Sequence, residues 1–362
     1  MSNRIIHDLP NISTGDSSWF FRQNKYERQE IRRQIALKDK MWPGIEHGAF
    51  SKKPTHFYPH ILPEDLGVFY ESFAAEVYKY FAEADIAIHS EVLNLKSSQV
   101  ACVNILFPLR QDLEFAADVM KPFLNNLDSV ERIEFEDTGE LASKPGDITK
   151  WLGEPPGGKR GQNRTSIDCA IYWKDTRGKS NVTLIEWKYT ERAFGNCGAY
   201  ASKSTTPEER ATCNLVMKDG HERCCLLVEH GRNRSRHYWN LLKEAGVDLE
   251  LFEDTSICPF SGPFYQIMRQ FLVASYLRRN GFVQVDVVAL GFDQNKSLRK
   301  IPNNLVSFRT NKEDSIIDIW NRILKGVPPI RHITAEELMI SVDRTQNAES
   351  GWRNYINERY GV

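Results

Sequence analysis

Apolar residues recur at helical spacing between Pro63 and Ala84, where Leu66, Phe69, Tyr70, Phe73, Val77 and Phe81 share one face and predict a helix. Residues 17–40 predict an earlier, polar helix opened by a serine, with Trp19, Phe20, Tyr26 and Ile31 as a partial apolar stripe. Between them, 41–63 is rich in Pro, Gly and His and has no usable period, so it reads as a connector. Residues 94–120 predict a helix capped by Ser97 or Ser98, which Pro108 kinks or divides.

The period then changes from helical to alternating. The run at 130–136, VERIEFE, predicts a half-buried strand, and the Gly- and Pro-rich segment 137–165 a long loop. Two β-rich runs, 165–174 and 181–190, flank Asp175-Thr176-Arg177-Gly178-Lys179-Ser180 and predict a hairpin. A less regular stretch reaches about residue 260. An amphipathic helix over 263–281 stopped by Gly281, a strand over 282–292 and a helix over 314–324 follow. From Ser97 the order is helix, three strands, helix, strand.

With 362 residues, 41% of them hydrophobic, the chain can bury a sizeable core. No run approaches the roughly 18 to 20 apolar residues of a membrane span, and the N-terminus lacks the pattern of a secretion signal, so a cytoplasmic protein is expected. Seven cysteines without framework spacing fit a reducing compartment. The net charge of −1 argues against affinity for polyanions through bulk charge. Its distribution is uneven: residues 1–60 carry +4, 61–140 carry −11, 141–240 carry +6 and 241–362 are balanced. The basic excess around the hairpin can attract a polyanion locally or simply solvate a face.

In the second hairpin strand Glu186 and Lys188 face one side and Trp187 the other. A turn near Arg177 and Gly178 pairs positions summing to about 355, which sets Asp168 opposite Glu186 to Lys188. Charges amid apolar strands are costly to bury unless they pair or bind an ion. Two carboxylates suit Mg²⁺, and the Trp187 carbonyl is a candidate further ligand. The same spacing also fits a salt-bridge cluster on a solvated sheet face.

Asp168 followed by Glu186-Trp187-Lys188 resembles the signature of the PD-(D/E)XK nucleases. The wider context, Thr165-Ser166-Ile167-Asp168 and Glu186-Trp187-Lys188-Tyr189-Thr190-Glu191, is similar to a bacterial restriction-endonuclease-like branch reading Thr-Ser-Phe-Asp and Glu-x-Lys-Tyr-x-Glu. Ser97-Ser98-Gln99, Asn104, Pro108-Leu109, Gln266 and Arg269 match that branch's remaining motifs in order. Ile167 stands where the branch has Phe, and Asn163 where an Asp is expected.

The resemblance implies an α/β fold with an αβββαβ core, a central mixed sheet flanked by helices and helical additions at both ends. It implies an N-terminal helix and connector over 1–60, a nuclease core over 61–300 with an inserted region at 192–260, and a C-terminal helical extension over 301–362. It further implies a Mg²⁺-dependent DNA endonuclease, with Mn²⁺ able to substitute, acting in bacterial defence or DNA processing. Asp168 and Glu186 would hold the metal, Lys188 would serve the attacking water, and a homodimer could serve both strands. Gln99, Glu136 and Glu191 are candidate accessory residues; a capping-region amide and an edge-strand charge are the plainer readings of the first two. A non-catalytic nucleic-acid-binding or assembly module on the same fold, or an RNA-directed nuclease, are the alternatives.

Arg269, Arg232, Arg234 and Arg236 are candidate nucleic-acid contacts, the last three beside Tyr238 and Trp239 in a run that suits phosphate contacts and stacking or a solvated loop. Cys213, His221, Cys224, Cys225 and His230 lie close together, but their irregular spacing argues against zinc.

Overall fold

The computed structural model describes residues 18–157, 160, 164–228, 236–345 and 349–362. Five strands form a central mixed sheet in the order β3-β4-β5-β6-β7: β3 Leu127–Asp137, β4 Ile167–Asp175, β5 Ser180–Lys188, β6 Gln284–Gly291 and β7 Arg331–Thr334. The pairs β3/β4 and β4/β5 are antiparallel, and β5/β6 and β6/β7 parallel. A separate two-stranded ribbon, β1 Gly48–Phe50 with β2 Lys53–Tyr58, precedes the sheet.

Both faces of the sheet are covered, which is why its inner strands β4, β5 and β6 are buried almost throughout. On one face Cys169, Ile171, Trp173, Ile185 and Trp187 pack against the helices Ser98–Gln111, Leu113–Met120, Ala335–Arg344 and Ser350–Tyr360. On the other, Ala170, Tyr172, Val182 and Leu184 pack against the helix Phe264–Arg279. The expected order of helix, three strands, helix and strand is present, and the fold is a mixed α/β sheet flanked by helices. No helix among the described residues is long and apolar enough to cross a membrane.

Several elements differ from the sequence reading. The expected helix from Pro63 to Ala84 begins only at Ala74, because Gly67 adopts φ +97° and Asn104 holds the preceding chain as a loop. The Asn104 side chain accepts from Tyr70 N–H (2.8 Å) and donates to the Val68 carbonyl (3.1 Å). Residues 17–40 hold two helices, Ser18–Phe21 and Lys25–Met41, separated at Asn24, which forms a capping box with Glu27. The connector over 41–63 contains the β1–β2 ribbon.

Pro108 does not divide its helix, which runs through to Gln111; the break comes where Asp112 caps Leu113–Met120. A proline cannot donate to the carbonyl four residues earlier, and that carbonyl, on Asn104, instead accepts from Trp352 Nε1 at 2.8 Å. The C-terminal residues are not wholly helical, since they contribute β7 to the central sheet.

Candidate active site

The site forms where β3, β4 and β5 end together. The observed pairing of Cys169 with Ile185 continues by one residue to set Asp168 opposite Glu186. Asp168 accepts the main-chain N–H of Trp187 at 2.8 Å, which ties its carboxylate to the neighbouring strand. The charge of Asp168 acts on the Glu186 carboxyl across the strand pair. Lys188 Nζ lies 2.5 Å from Glu186 Oε1, with Glu186 only 1% and Lys188 7% exposed. Trp187 turns to the opposite face and packs edge-on against Phe292 at 5.9 Å. The three charges therefore meet on one face, as the period of a strand requires.

Burial raises the Asp168 carboxyl to about 7, against the opposing pull of Lys188. Burial and then the Asp168 charge raise Glu186 to about 8. Burial alone would lower Lys188, but Glu186 and Asp168 outweigh it and hold its ammonium above the usual lysine range. Ionising both carboxyls beside the one ammonium would leave an uncompensated negative charge in a largely buried site, which is why both hold their protons to a higher pH than usual.

Glu186 receives further donors from the helix Phe264–Arg279. The side-chain amides of Gln266 and Gln270 each donate to it, one to each oxygen. Arg269, on the same helix, donates to Thr165 Oγ1 at 2.9 Å and to the Arg164 carbonyl at 3.1 Å. Glu154 completes this anchor by accepting from Thr165 N–H (2.8 Å) and from Tyr238 Oη (2.6 Å). The Gln-x-x-Arg segment therefore fixes both strands, Gln266 through Glu186 and Arg269 through the residues leading into Asp168.

A second polar group comes from the other side of the cleft. Glu136, at φ +46°, occupies the left-handed region that is costly for a non-glycine residue and frequent at functional sites. Its carboxylate accepts from Gln99 Nε2 at 3.0 Å and from Ser166 Oγ at 2.8 Å, and lies 3.5 Å from His89 Nε2. Burial raises its pKa, opposed by the Ser166 and Gln99 hydrogen bonds. Gln99 also accepts from His89 N–H and donates to the Ala87 carbonyl, so it locks the 87–89 chain in place. Glu191 accepts from Tyr189 N–H at 2.8 Å at the exit of β5.

Asp168, Lys188, Glu136, Gln99, Glu191, His89 and Gln266 all line one cavity of about 170 Å³. The structure thus brings together the three central residues and all three accessory candidates. Arg269 is engaged with Thr165, and Arg236 donates to the Gly153 carbonyl at 2.9 Å. Arg232, Arg234 and His230, like Asn163, lie outside the described residues.

The sequence does not single out His89 or Gln270, and it shows Ser166 only as part of the Thr165–Asp168 motif, without a role. Gln270 had a signal, standing four residues after Gln266 on one helix face; His89 had none, because loop geometry alone delivers it.

Among the described residues no group of three or more His, Cys, Asp or Glu side chains is arranged to hold a metal ion. His221, from the cysteine-rich stretch, instead bonds Asn240 at 2.9 Å and stacks on Trp239. At the adjoining ends of β4 and β5 the protein offers two hard carboxylates, Asp168 and Glu186, with the Trp187 carbonyl as a further candidate. Such a set leaves most positions of an octahedral cation to water and substrate oxygens, which is how Mg²⁺ is usually held.

Comparison with curated proteins and with solved structures gives no significant match. A family described as Restriction Endonuclease associating with ARP matches residues 21–361, which includes every strand and every residue of the site. With nearly the whole chain matched, the protein belongs to this restriction endonuclease family.

Proposed function

We propose that the protein is a Mg²⁺-dependent endonuclease that hydrolyses phosphodiester bonds in DNA, with its centre at Asp168, Glu186 and Lys188. The observation that carries this reading is the meeting of two carboxyl groups, half-buried Asp168 and buried Glu186, raised to about 7 and about 8, beside a single lysine. Folding such a group costs free energy that a mere surface salt bridge would not repay.

Asp168 and Glu186 would hold the ion, with Mn²⁺ an acceptable substitute because it shares the preference for oxygen ligands. When bound, the ion supplies charge to the scissile phosphate and acidifies a water. Lys188 here neutralises Glu186, and its raised pKa keeps the ammonium protonated. It therefore orients water and balances charge on the pentavalent transition state, and does not act as a base. Gln266 and Gln270 keep Glu186 in place, and Gln99 with Ser166 aims Glu136 into the cavity. Water attacks phosphorus and the bond to the 3′ oxygen breaks, leaving 5′-phosphate and 3′-hydroxyl ends.

A role in bacterial defence or DNA processing in the cytoplasm follows from this activity, and a homodimer would present two centres to the two strands of a duplex. Purified protein incubated with Mg²⁺ and, separately, duplex DNA, single-stranded DNA and RNA tests the assignment. Cleavage of DNA that Lys188→Ala abolishes is the expected result. Cleavage of RNA alone would redirect the substrate, and DNA binding without cleavage would leave a binding module.

A further inference from the structure

The β1–β2 ribbon stands apart from the two cores. From Ser51 to Phe57 each residue is exposed, including Phe57 at 58%, although a strand packed on a body buries every second residue. An isolated two-stranded ribbon is marginal in water, and this one is seated chiefly at its base, with one side-chain hydrogen bond at its tip. At the base Tyr58 packs edge-on against Trp19 at 4.9 Å, and Gly48 N–H donates to the Ile61 carbonyl at 2.8 Å. A Cβ on Gly48 would stand 2.1 Å from the Leu62 carbonyl oxygen, so the close seating of the ribbon requires glycine. Because Tyr58 marks the docked face, alternation puts Lys53, Thr55 and Phe57 on the free one.

The ribbon is also placed beside the candidate active site. The chain after it is stitched to the segment that lines the cavity: Leu62 N–H donates to the Leu93 carbonyl, and Leu95 N–H to the His60 carbonyl, each at 3.0 Å. At the tip, Ser51 Oγ donates to Glu91, two residues beyond His89. Residues 48–60 contain Lys52, Lys53, His56 and His60 and no acidic residue.

We infer that the β1–β2 ribbon is a duplex-DNA-reading element that enters the major groove next to the site of cleavage, with Lys52 and Lys53 on phosphates and the Thr55–Phe57 face on base edges. The inference takes its ligand from the nuclease reading. A six-residue strand spans roughly 20 Å, and the major groove, about 12 Å wide, admits a two-stranded ribbon. A hydroxyl and an aromatic ring are groups that read that groove, the ring through contact with thymine methyls. Lysines at the tip supply the charge complementarity that phosphates demand.

The test is duplex binding by the full-length chain, followed by fluorescence anisotropy in chelator across a series of salt concentrations, with cleavage in Mg²⁺ read in parallel. The double variant Lys52→Ala, Lys53→Ala should lose roughly tenfold in affinity at moderate salt, and its plot of log affinity against log salt should be shallower by about two. Phe57→Ser should lose affinity without changing that slope. In cleavage both losses should fall mainly on KM. All substituted side chains are exposed, so unchanged melting curves will show that the fold is intact.

If the wild type cuts DNA and the ribbon variants bind and cut like it, the ribbon inference is overturned and the nuclease reading stands. If the wild type binds duplex without cutting, and the variants lose that binding, the ribbon inference stands and the nuclease reading falls. A wild type with no affinity for duplex overturns both.

Discussion

Asp168 stands half-buried at the start of β4, opposite Glu186 on β5. Its carboxyl and that of Glu186 are raised above their unfolded values, so both folded groups retain protons that the unfolded chain has released. Their contribution to stability is thus fully present below about pH 4 and lost as pH rises through about 7 to 8. Metal-free protein should melt at progressively lower temperature between pH 5 and about 8.5 for this reason. Asp168→Asn, which keeps an oxygen for the Trp187 N–H, should flatten that dependence while lowering cleavage by at least about a hundredfold. Melting curves in chelator and initial cleavage rates check the two halves; a variant as pH-sensitive as wild type would contradict the burial argument. At this scale the sequence was informative about Asp168, Glu186 and Lys188, since strand period and hairpin register place them together. It was silent on His89 and on the left-handed turn at Glu136, which depend on loop packing and on no local pattern.

The helix Phe264–Arg279 shows how an element serves the site. Gln266 and Gln270, one turn apart, grip Glu186, while Arg269 grips Thr165. Gln270→Leu would leave a buried carboxylate oxygen without this donor, at a cost of about 1 to 3 kcal/mol when Glu186 is ionised. The loss in melting temperature should therefore be larger at pH 9 than at pH 6, where Glu186 holds its proton; an equal loss at both would show that packing alone is responsible. This helix and the four strands β3 to β6 were legible because their apolar periods are long and bounded by Gly or turn residues. The stretch 63–73 misled because Phe69 and Phe73 are buried, with Leu66 and Tyr70 packed against the same core at near-helical spacing, but in a loop turned by Gly67 and held by Asn104. The ribbon was hidden because exposed strands carry no alternation of burial, and β7, of four residues, is too short to show a period.

In the whole molecule the helices Lys25–Met41 and Ser350–Tyr360 meet over the exit of β5. Tyr189, next to Lys188, donates to Glu30 at 2.8 Å and accepts from Gln34, which also donates to the Arg359 carbonyl at 2.7 Å. Arg359 is buried and donates to the Val68 carbonyl at 2.6 Å, and Trp352 covers the Asn104 carbonyl. Removal of residues 350–362 should therefore unfold the chain or abolish its cooperative melt; a truncated protein with wild-type stability would show that the last helix is an accessory. The sequence motifs lie between Ser97 and Arg269 and gave no hint of this closure, because its contacts join residues some 300 positions apart, such as Gln34 and Arg359.

If Asp168 and Glu186 share a divalent ion, calorimetric titration of chelator-treated protein with Mn²⁺ or Mg²⁺ at pH 8 will show a saturable site in the wild type that Asp168→Asn loses together with cleavage. Equal binding by wild type and variant would show that the two carboxylates hold no ion between them.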